Sequence, residues 1–270
     1  MLFLISGKTW PNWYEVLDPE SSLWREITEV RKVLVLDEPL SKVNIAIQDY
    51  RKVISLELSN ASKPQYARAF NSLSPSEASV NLLAEKDVFY NFLRASHLGS
   101  YMPRSVDLTS ANLHFPFIIK RVDLAGGIGV ELISDRKVLD EQLKTSIFKG
   151  KRLIIQEYIE ADTDFVTHVL CKNGEIIWNA SFEGPVHKDS PINRGPFAKS
   201  VANIEPNCLN VFNKIMQLAR YEGVAAINFR IRDGKPIIFE INPRLGGSLF
   251  LPLFRGHLIE LLKNYVHHSY

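Results

Sequence analysis

The chain has 270 residues and a mass of 30.7 kDa, enough for one large domain or two small ones with a substantial buried core. Its apolar fraction of 46% and charged fraction of 23% exclude disordered and fibrous classes, and 32 basic against 30 acidic residues exclude nucleic-acid binding by bulk charge. Cys171 and Cys208 form neither a metal spacing nor a disulfide framework, residues 1–5 are too short for a signal segment, and no apolar run is long enough to span a bilayer. These features predict a soluble, cytoplasmic protein with neither membrane nor nucleic acid among its partners.

In chain order, residues 2–6 are an apolar run of strand length, and 21–31 carry Leu23, Ile27 and Val30 at helical spacing. Runs at 32–36, 43–47 and 53–58 again have strand length, parted by polar and proline-containing breaks. The alternation predicts a small sheet with helices packed on it. No Gly-x-Gly-x-x-Gly follows the first strand, so a dinucleotide fingerprint is absent. Trp10, Trp13, Tyr14 and Trp24 read as packing residues. Residues 60–79, rich in Ser, Asn and Pro, mark the candidate domain boundary. Leu82, Leu83, Val88, Phe89, Phe92 and Leu93 then predict one helix over 79–96, ended by Pro103. From 115 the chain turns β-rich, with helices near 137–145 and 207–221. Residues 183–200 read as a long loop carrying His187, Lys188, Asp189, Asn193 and Arg194, whose basic members could hold a substrate carboxylate.

Residues 225–244 are the most informative. Two alternating runs flank Asp233-Gly234, a hairpin signal. Ile227, Phe229, Ile231, Ile237, Phe239 and Ile241 predict a buried face, leaving Asn228, Arg230, Ile238, Glu240 and Asn242 on the other. A two-residue loop would set Ile227 against Glu240, so the pattern predicts a three-residue loop over 233–235 that pairs Asn228 with Glu240. Asn228, Glu240 and Asn242 then share a face. Such oxygen donors suit a hard cation like Mg²⁺, which takes one or two carboxylates and phosphate oxygens besides.

The run Phe239-Glu-Ile-Asn-Pro-Arg-Leu-Gly-Gly-Ser248 resembles the C-terminal signature of the ATP-grasp superfamily, which includes carboxylate–amine ligases, biotin carboxylase and carbamoyl-phosphate synthetase. Other stretches are similar to the family's in the expected order. Lys86 resembles its first nucleotide lysine, and Pro116-Phe-Ile-Ile-Lys120 the strand that delivers the second. Ala125-Gly-Gly-Ile-Gly-Val130 resembles the glycine-rich lid loop. Gln156-Glu-Tyr-Ile159 resembles the hinge that meets the adenine edge, with Asp164 at or near the ribose acid. The resemblance covers residues 79–253.

It implies an α/β (α+β) architecture: a β/α head domain over 1–78, then an ATP-grasp domain over 79–270, with a lid subdomain at about 104–156 and a C-terminal subdomain at about 157–270. ATP would be held by Lys86, Lys120, Gly126, Gly127, Gly129, Glu157, Tyr158, Ile159 and Asp164. Mg²⁺, or Mn²⁺ in its place, would be held by Asn228, Glu240 and Asn242. Lys120 and Arg244 would be catalytic, with Arg194 and Arg230 as weaker candidates for the arginine role. The implied reaction joins a small carboxylate to an amine through an acyl phosphate, releasing ADP and phosphate. A carboxyphosphate-forming subunit and a non-catalytic nucleotide-binding regulator are the alternatives, and a homodimer stays open as the assembly.

Three departures from the family pattern stand out. Asn228 occupies a ligand position that is usually Glu, Asp or Gln. Ala226 replaces an arginine frequent in peptide-type ligases, and residues 160–164 are one longer than common, leaving Asp162 as the alternative ribose acid. His97, His114, His168, His257, His267 and His268 show no metal spacing or nucleophile pairing, and Cys171 reads as core.

Overall fold

Three short strands near the N-terminus, β1 (Leu2–Ser6), β2 (Lys32–Leu36) and β3 (Lys52–Ser55), pair in parallel in the order β2-β1-β3. The computed structural model describes residues 72–110, 112–124, 127–186, 197–201 and 204–268, with 16, 18, 20–27 and 30 and the backbone of 2–6, 32–36 and 52–55. The expected strand over 43–47 and Trp10, Trp13 and Tyr14 lie outside the described residues. The helix expected over 21–31 is instead a single 3₁₀ turn, Ser22–Glu26, capped by the Ser21 hydroxyl. Leu23, Trp24 and Ile27 are all buried there, so packing rather than propensity fixes the turn.

The helix expected over 79–96 is two: α1 (Glu77–Ala84) and α2 (Lys86–Ala95). Ser76 caps α1 by accepting from the Ser79 N–H at 3.1 Å, and Glu85 breaks the pair with extended backbone, φ −77° and ψ 109°. Lys86 therefore opens a helix instead of lying within one.

Next comes an antiparallel sheet of β4 (Phe117–Arg121), β5 (Val130–Ile133) and β6 (Leu153–Glu157), in the order β5-β4-β6, with α3 (Arg136–Gln142) between β5 and β6. Strand alternation divides its residues: Phe117 and Ile119 pack with Ile133, Leu139 and Phe148, which turns Ile118 and Lys120 to the opposite face.

The larger sheet holds β7 (Thr163–Lys172), β8 (Glu175–Pro185), β9 (Lys199–Val201), β10 (Gly223–Arg232) and β11 (Lys235–Asn242), antiparallel throughout in the order β11-β10-β7-β8-β9. α4 (Pro206–Leu218) and α2 bury one face against Val169, Ala225, Ile227, Phe229 and Ile241. On the other face α5 (Arg255–His268) packs with Leu170, Val224 and Phe182, and Leu23, Trp24, Ile27 and Leu73 join the same core. The ends of the loop expected over 183–200 are strand, in β8 and β9. His187, Lys188, Asp189, Asn193 and Arg194 lie outside the described residues.

The hairpin β10–β11 pairs Asn228 with Glu240, as the apolar pattern requires, but by another route. Its loop is the two-residue turn Asp233-Gly234, both at positive φ (53° and 70°), the backbone that matches strand twist. Register then shifts between Asn228 and Phe229: Phe229 pairs with Ile238, Asn228 with Glu240, and Phe239 is the extra residue of a bulge. Three expectations change accordingly. Ile237, expected beside Phe229 on the buried face, pairs instead with Arg230, although it stays buried. Ile238 joins Phe229 in the core instead of the polar face, and Phe239 leaves the buried face for the cavity described next. A bulge can restore register inside a strand, whereas the apolar pattern alone assigned that task to the loop.

Candidate active site

Lys120 leaves β4 on the face away from the small sheet's core, Lys86 starts α2, and Asn228 and Glu240 leave the larger sheet. All four line one cavity of about 410 Å³ between the two sheets, within the range that holds small ligands and cofactors. Gly127, Glu157, Tyr158, Ile159 and Asp164 line it too. Gly127 (φ 76°) and Gly129 (φ 68°) shape the β4–β5 loop. Gly129 stands behind the wall, where a Cβ would meet Leu124 and Arg121. Gly126 lies outside the described residues.

The two lysines differ in their surroundings. Lys86 Nζ donates to the Leu124 carbonyl, tying α2 to the glycine-rich loop. Lys120 Nζ stands 5.4 Å from the Phe239 ring centroid. Burial pulls Lys120 down to about 8, with Lys86 and Arg230 adding to the shift and Glu240 opposing it. An anion entering between these cations would relieve their repulsion and hold the proton on Lys120 more firmly.

The hinge 156–159 is held by arginines. Glu157 accepts from Arg104 Nε at 2.9 Å and Arg232 Nη2 at 3.1 Å. Burial would raise its carboxyl, but hydrogen bonds from Arg104 and Arg232 outweigh that and hold it at about 2. Arg230, 2% exposed, donates through Nε to Asp164 Oδ1 at 2.6 Å and through Nη1 to the Ile159 carbonyl. Its guanidinium also stands 5.4 Å from the Tyr158 ring and 5.5 Å from the Phe239 ring. Asp164 thus meets the cavity with a carboxylate already paired to Arg230, while Asp162 is exposed. Gln156 is 1% exposed and lines the cavity. Neither polar atom of its amide meets a partner of good hydrogen-bond geometry among the described residues, although the Tyr90 hydroxyl is close enough for a weak one. In the sequence Gln156 stands only as the first residue of the hinge motif, since a glutamine on a strand carries no signal of burial.

Across from the lysines, Asn228 and Asn242 both donate to Glu240 Oε1, at 3.3 and 3.1 Å. With their nitrogens so engaged, both amide oxygens and Glu240 Oε2 are left for a cation. One carboxylate and two amide oxygens fit a hard divalent ion that completes its shell with phosphate oxygens. No cluster of three His, Cys, Asp or Glu residues occurs among the described residues. Arg244 is not in the cavity wall: its Nη1 donates to the Leu245 carbonyl at 2.8 Å. Burial lowers its pKa while Glu240 opposes the shift, which sets the guanidinium within electrostatic reach of the cluster.

Residues 83–248 match the family model described as ATP-grasp domain. The chain belongs to the ATP-grasp family. The carbamoyl phosphate synthase arginine-specific large chain of Bacillus subtilis (strain 168) is 19% identical over 199 residues, 68% of this chain and 19% of that one. The ATP-grasp chain thus spans about a fifth of that relative's length. Among solved structures, D-alanine–D-alanine ligase from Bacillus anthracis complexed with ATP superposes with TM-score 0.65 and 14% identity, covering 99% of this chain and 96% of that one. L-amino acid ligase from Bacillus licheniformis gives TM-score 0.62 and 15% identity, with 100% and 74% covered. At these identities the likeness concerns the fold. No described helix of this ATP-grasp protein is long and apolar enough to cross a membrane.

Proposed function

We propose that this chain is an ATP- and Mg²⁺-dependent ligase that phosphorylates a small carboxylate and passes the acyl group to an amine or related nucleophile, with release of ADP and phosphate. The observation that carries the reading is the cavity in which Lys86 and Lys120 face Asn228 and Glu240. Adenine would lie along 157–159, the ribose near Asp164, and the phosphates between the lysines and the backbone of 126–129, whose glycines permit close approach. Asn228, Glu240 and Asn242 would hold Mg²⁺, which neutralises charge on the transferring phosphoryl group.

The chain's own contributions are positioning and electrostatics. Lys120 supplies positive charge from a desolvated wall, where it is worth more than in water. Arg244, within electrostatic reach of Glu240, would steady the phosphoryl group or the acyl phosphate. The same reading takes residues 1–78 as a head domain and 79–270 as the grasp, with the lid over about 104–156, and expects a cytoplasmic biosynthetic enzyme, with a homodimer as the open assembly. The likeness to a carbamoyl phosphate synthase large chain favours one variant, bicarbonate as the acid.

ADP release from Mg·ATP across pooled carboxylates and amines, bicarbonate included, tests this. Substrate-dependent ADP is expected, reduced about a hundredfold or more in Lys120→Ala and in Glu240→Ala. Nucleotide binding without turnover in any pool would favour the regulator, and no nucleotide binding at all would remove the reading.

A further inference from the structure

The chain enters the small sheet through residues 103–106 and leaves it after Glu157, the last residue of β6. At that crossing the two stretches run side by side as a short antiparallel ladder. Val106 N–H donates to the Ile155 carbonyl at 3.0 Å, Ser105 bridges Gln156, and Glu157 N–H donates to the Arg104 carbonyl at 2.9 Å. The Glu157 carboxylate closes the end of the ladder. Its Oε1 accepts from the Arg104 backbone N–H at 2.9 Å, and its Oε2 accepts from Arg104 Nε and Nη2 at 2.9 and 2.8 Å. From the other side Arg232 reaches both oxygens at 3.1 Å, Nη2 to Oε1 and Nη1 to Oε2.

Arg232 is the last residue of β10 in the larger sheet. One carboxylate therefore holds together the chain entering the small sheet, the chain leaving it and the sheet across the cavity. Arg230, two residues earlier, leaves β10 on the same side and takes the Ile159 carbonyl, so the backbone of 157–159 is docked onto β10 at both ends. The two arginines on Glu157 are not equal. Arg104 is 81% exposed, where solvent screens an ion pair, whereas the forked contact from the half-buried Arg232 keeps more of its strength. Pro103, Gln156, Tyr158 and Ile159 line the cavity at this crossing, so the angle at which the crossing is held sets the spacing of the two sheets there.

We propose that the Glu157 side chain is a positioning residue, which clamps Arg104 to Arg232, fixes the angle between the two sheets and so keeps the 157–159 backbone in its nucleotide-binding arrangement. For what the cavity binds, the proposal rests on the ligase reading above. For the clamp itself it rests on the contacts of Glu157. Without the clamp the sheets sample other angles, and apparent nucleotide affinity falls in proportion to the time spent in the binding arrangement.

Amide hydrogen exchange on the unliganded protein, read residue by residue, is the first test. The amides of Val106 and Glu157 should exchange about tenfold faster or more in Glu157→Ala and in Arg232→Met, while those of β4 keep their wild-type protection. Calorimetric titration with Mg·AMP-PNP should show about tenfold weaker binding in both variants and a smaller loss in Arg104→Met. The double variant, Glu157→Ala with Arg232→Met, should be no worse than Glu157→Ala alone, because both changes break one clamp. In the ADP assay, Arg232→Met should raise KM for Mg·ATP more than it lowers kcat. Wild-type exchange at 106 and 157, wild-type affinity in Glu157→Ala or additive losses would overturn the proposal. So would loss of β4 protection along with the crossing, which would make Glu157 a stability residue of the small sheet. Should the wild type bind no nucleotide, the ligase reading fails, and the exchange result still decides the clamp.

Discussion

Lys120 carries a charge that its surroundings resist, and this makes nucleotide binding sensitive to pH. Below about 8 the ammonium is present in the free protein, and above it the charge is progressively lost. Affinity for Mg·AMP-PNP should therefore fall as pH rises from neutral through about 8. Lys120→Arg, whose guanidinium stays charged, should show a flat profile over the same range. Calorimetric titrations across pH check this, and a flat wild-type profile would contradict it. For the unliganded fold the sign is opposite. Between about 8 and the ordinary lysine value of 10.5, the unfolded chain holds a proton that the folded chain has released, so Lys120's contribution to stability rises with pH there. Gln156 shows the converse case, a residue whose importance the sequence hides. Its desolvated amide costs stability in the empty protein. Gln156→Leu should raise the thermal midpoint while weakening Mg·AMP-PNP binding, and loss of both together would make Gln156 merely structural.

At the scale of elements, the bulge in β11 is the device that joins core to site. Phe239 faces Lys120 and Arg230 because it is the unpaired residue, while its carbonyl accepts from the Tyr90 hydroxyl of α2 at 2.6 Å. Tyr90→Phe removes that donor and should cost about 1–3 kcal/mol in denaturant unfolding. Nucleotide affinity should fall with it, because the bulge loses its anchor. The faces of Asn228 and Glu240 were legible because six large apolar residues alternate around them. The bulge was not, since β-branched and aromatic residues at 237–239 suit either face and the deciding contact comes from a helix about 150 residues earlier in sequence. The break at Glu85 was hidden for a related reason: no glycine or proline marks it, and packing of α1 and α2 overrides local propensity.

Across the whole molecule, the N-terminal turn Ser22–Glu26 shares a core with α5. Trp24, 7% exposed, packs among Phe254, Leu258 and Leu262. Trp24→Ala should destabilise the protein by about 3–5 kcal/mol and move a single cooperative transition in calorimetry. A separate early transition, with the main one unmoved, would instead mark an independent N-terminal unit.

The β-rich run from residue 115 with helices near 137–145 and 207–221, the hairpin turn at Asp233-Gly234 and the shared face of Asn228 and Glu240 were legible in sequence alone. Each depends on short-range alternation and turn chemistry, which read out within a few residues. Tertiary structure decided the rest. It placed the bulge that turns Phe239 inward, the Arg230 brace that ties Asp164 to the hinge, the buried Gln156 amide and the His168–Ser248 pair. Those features bring together residues up to 149 positions apart, and no local pattern records which distant side chain will meet a buried polar atom.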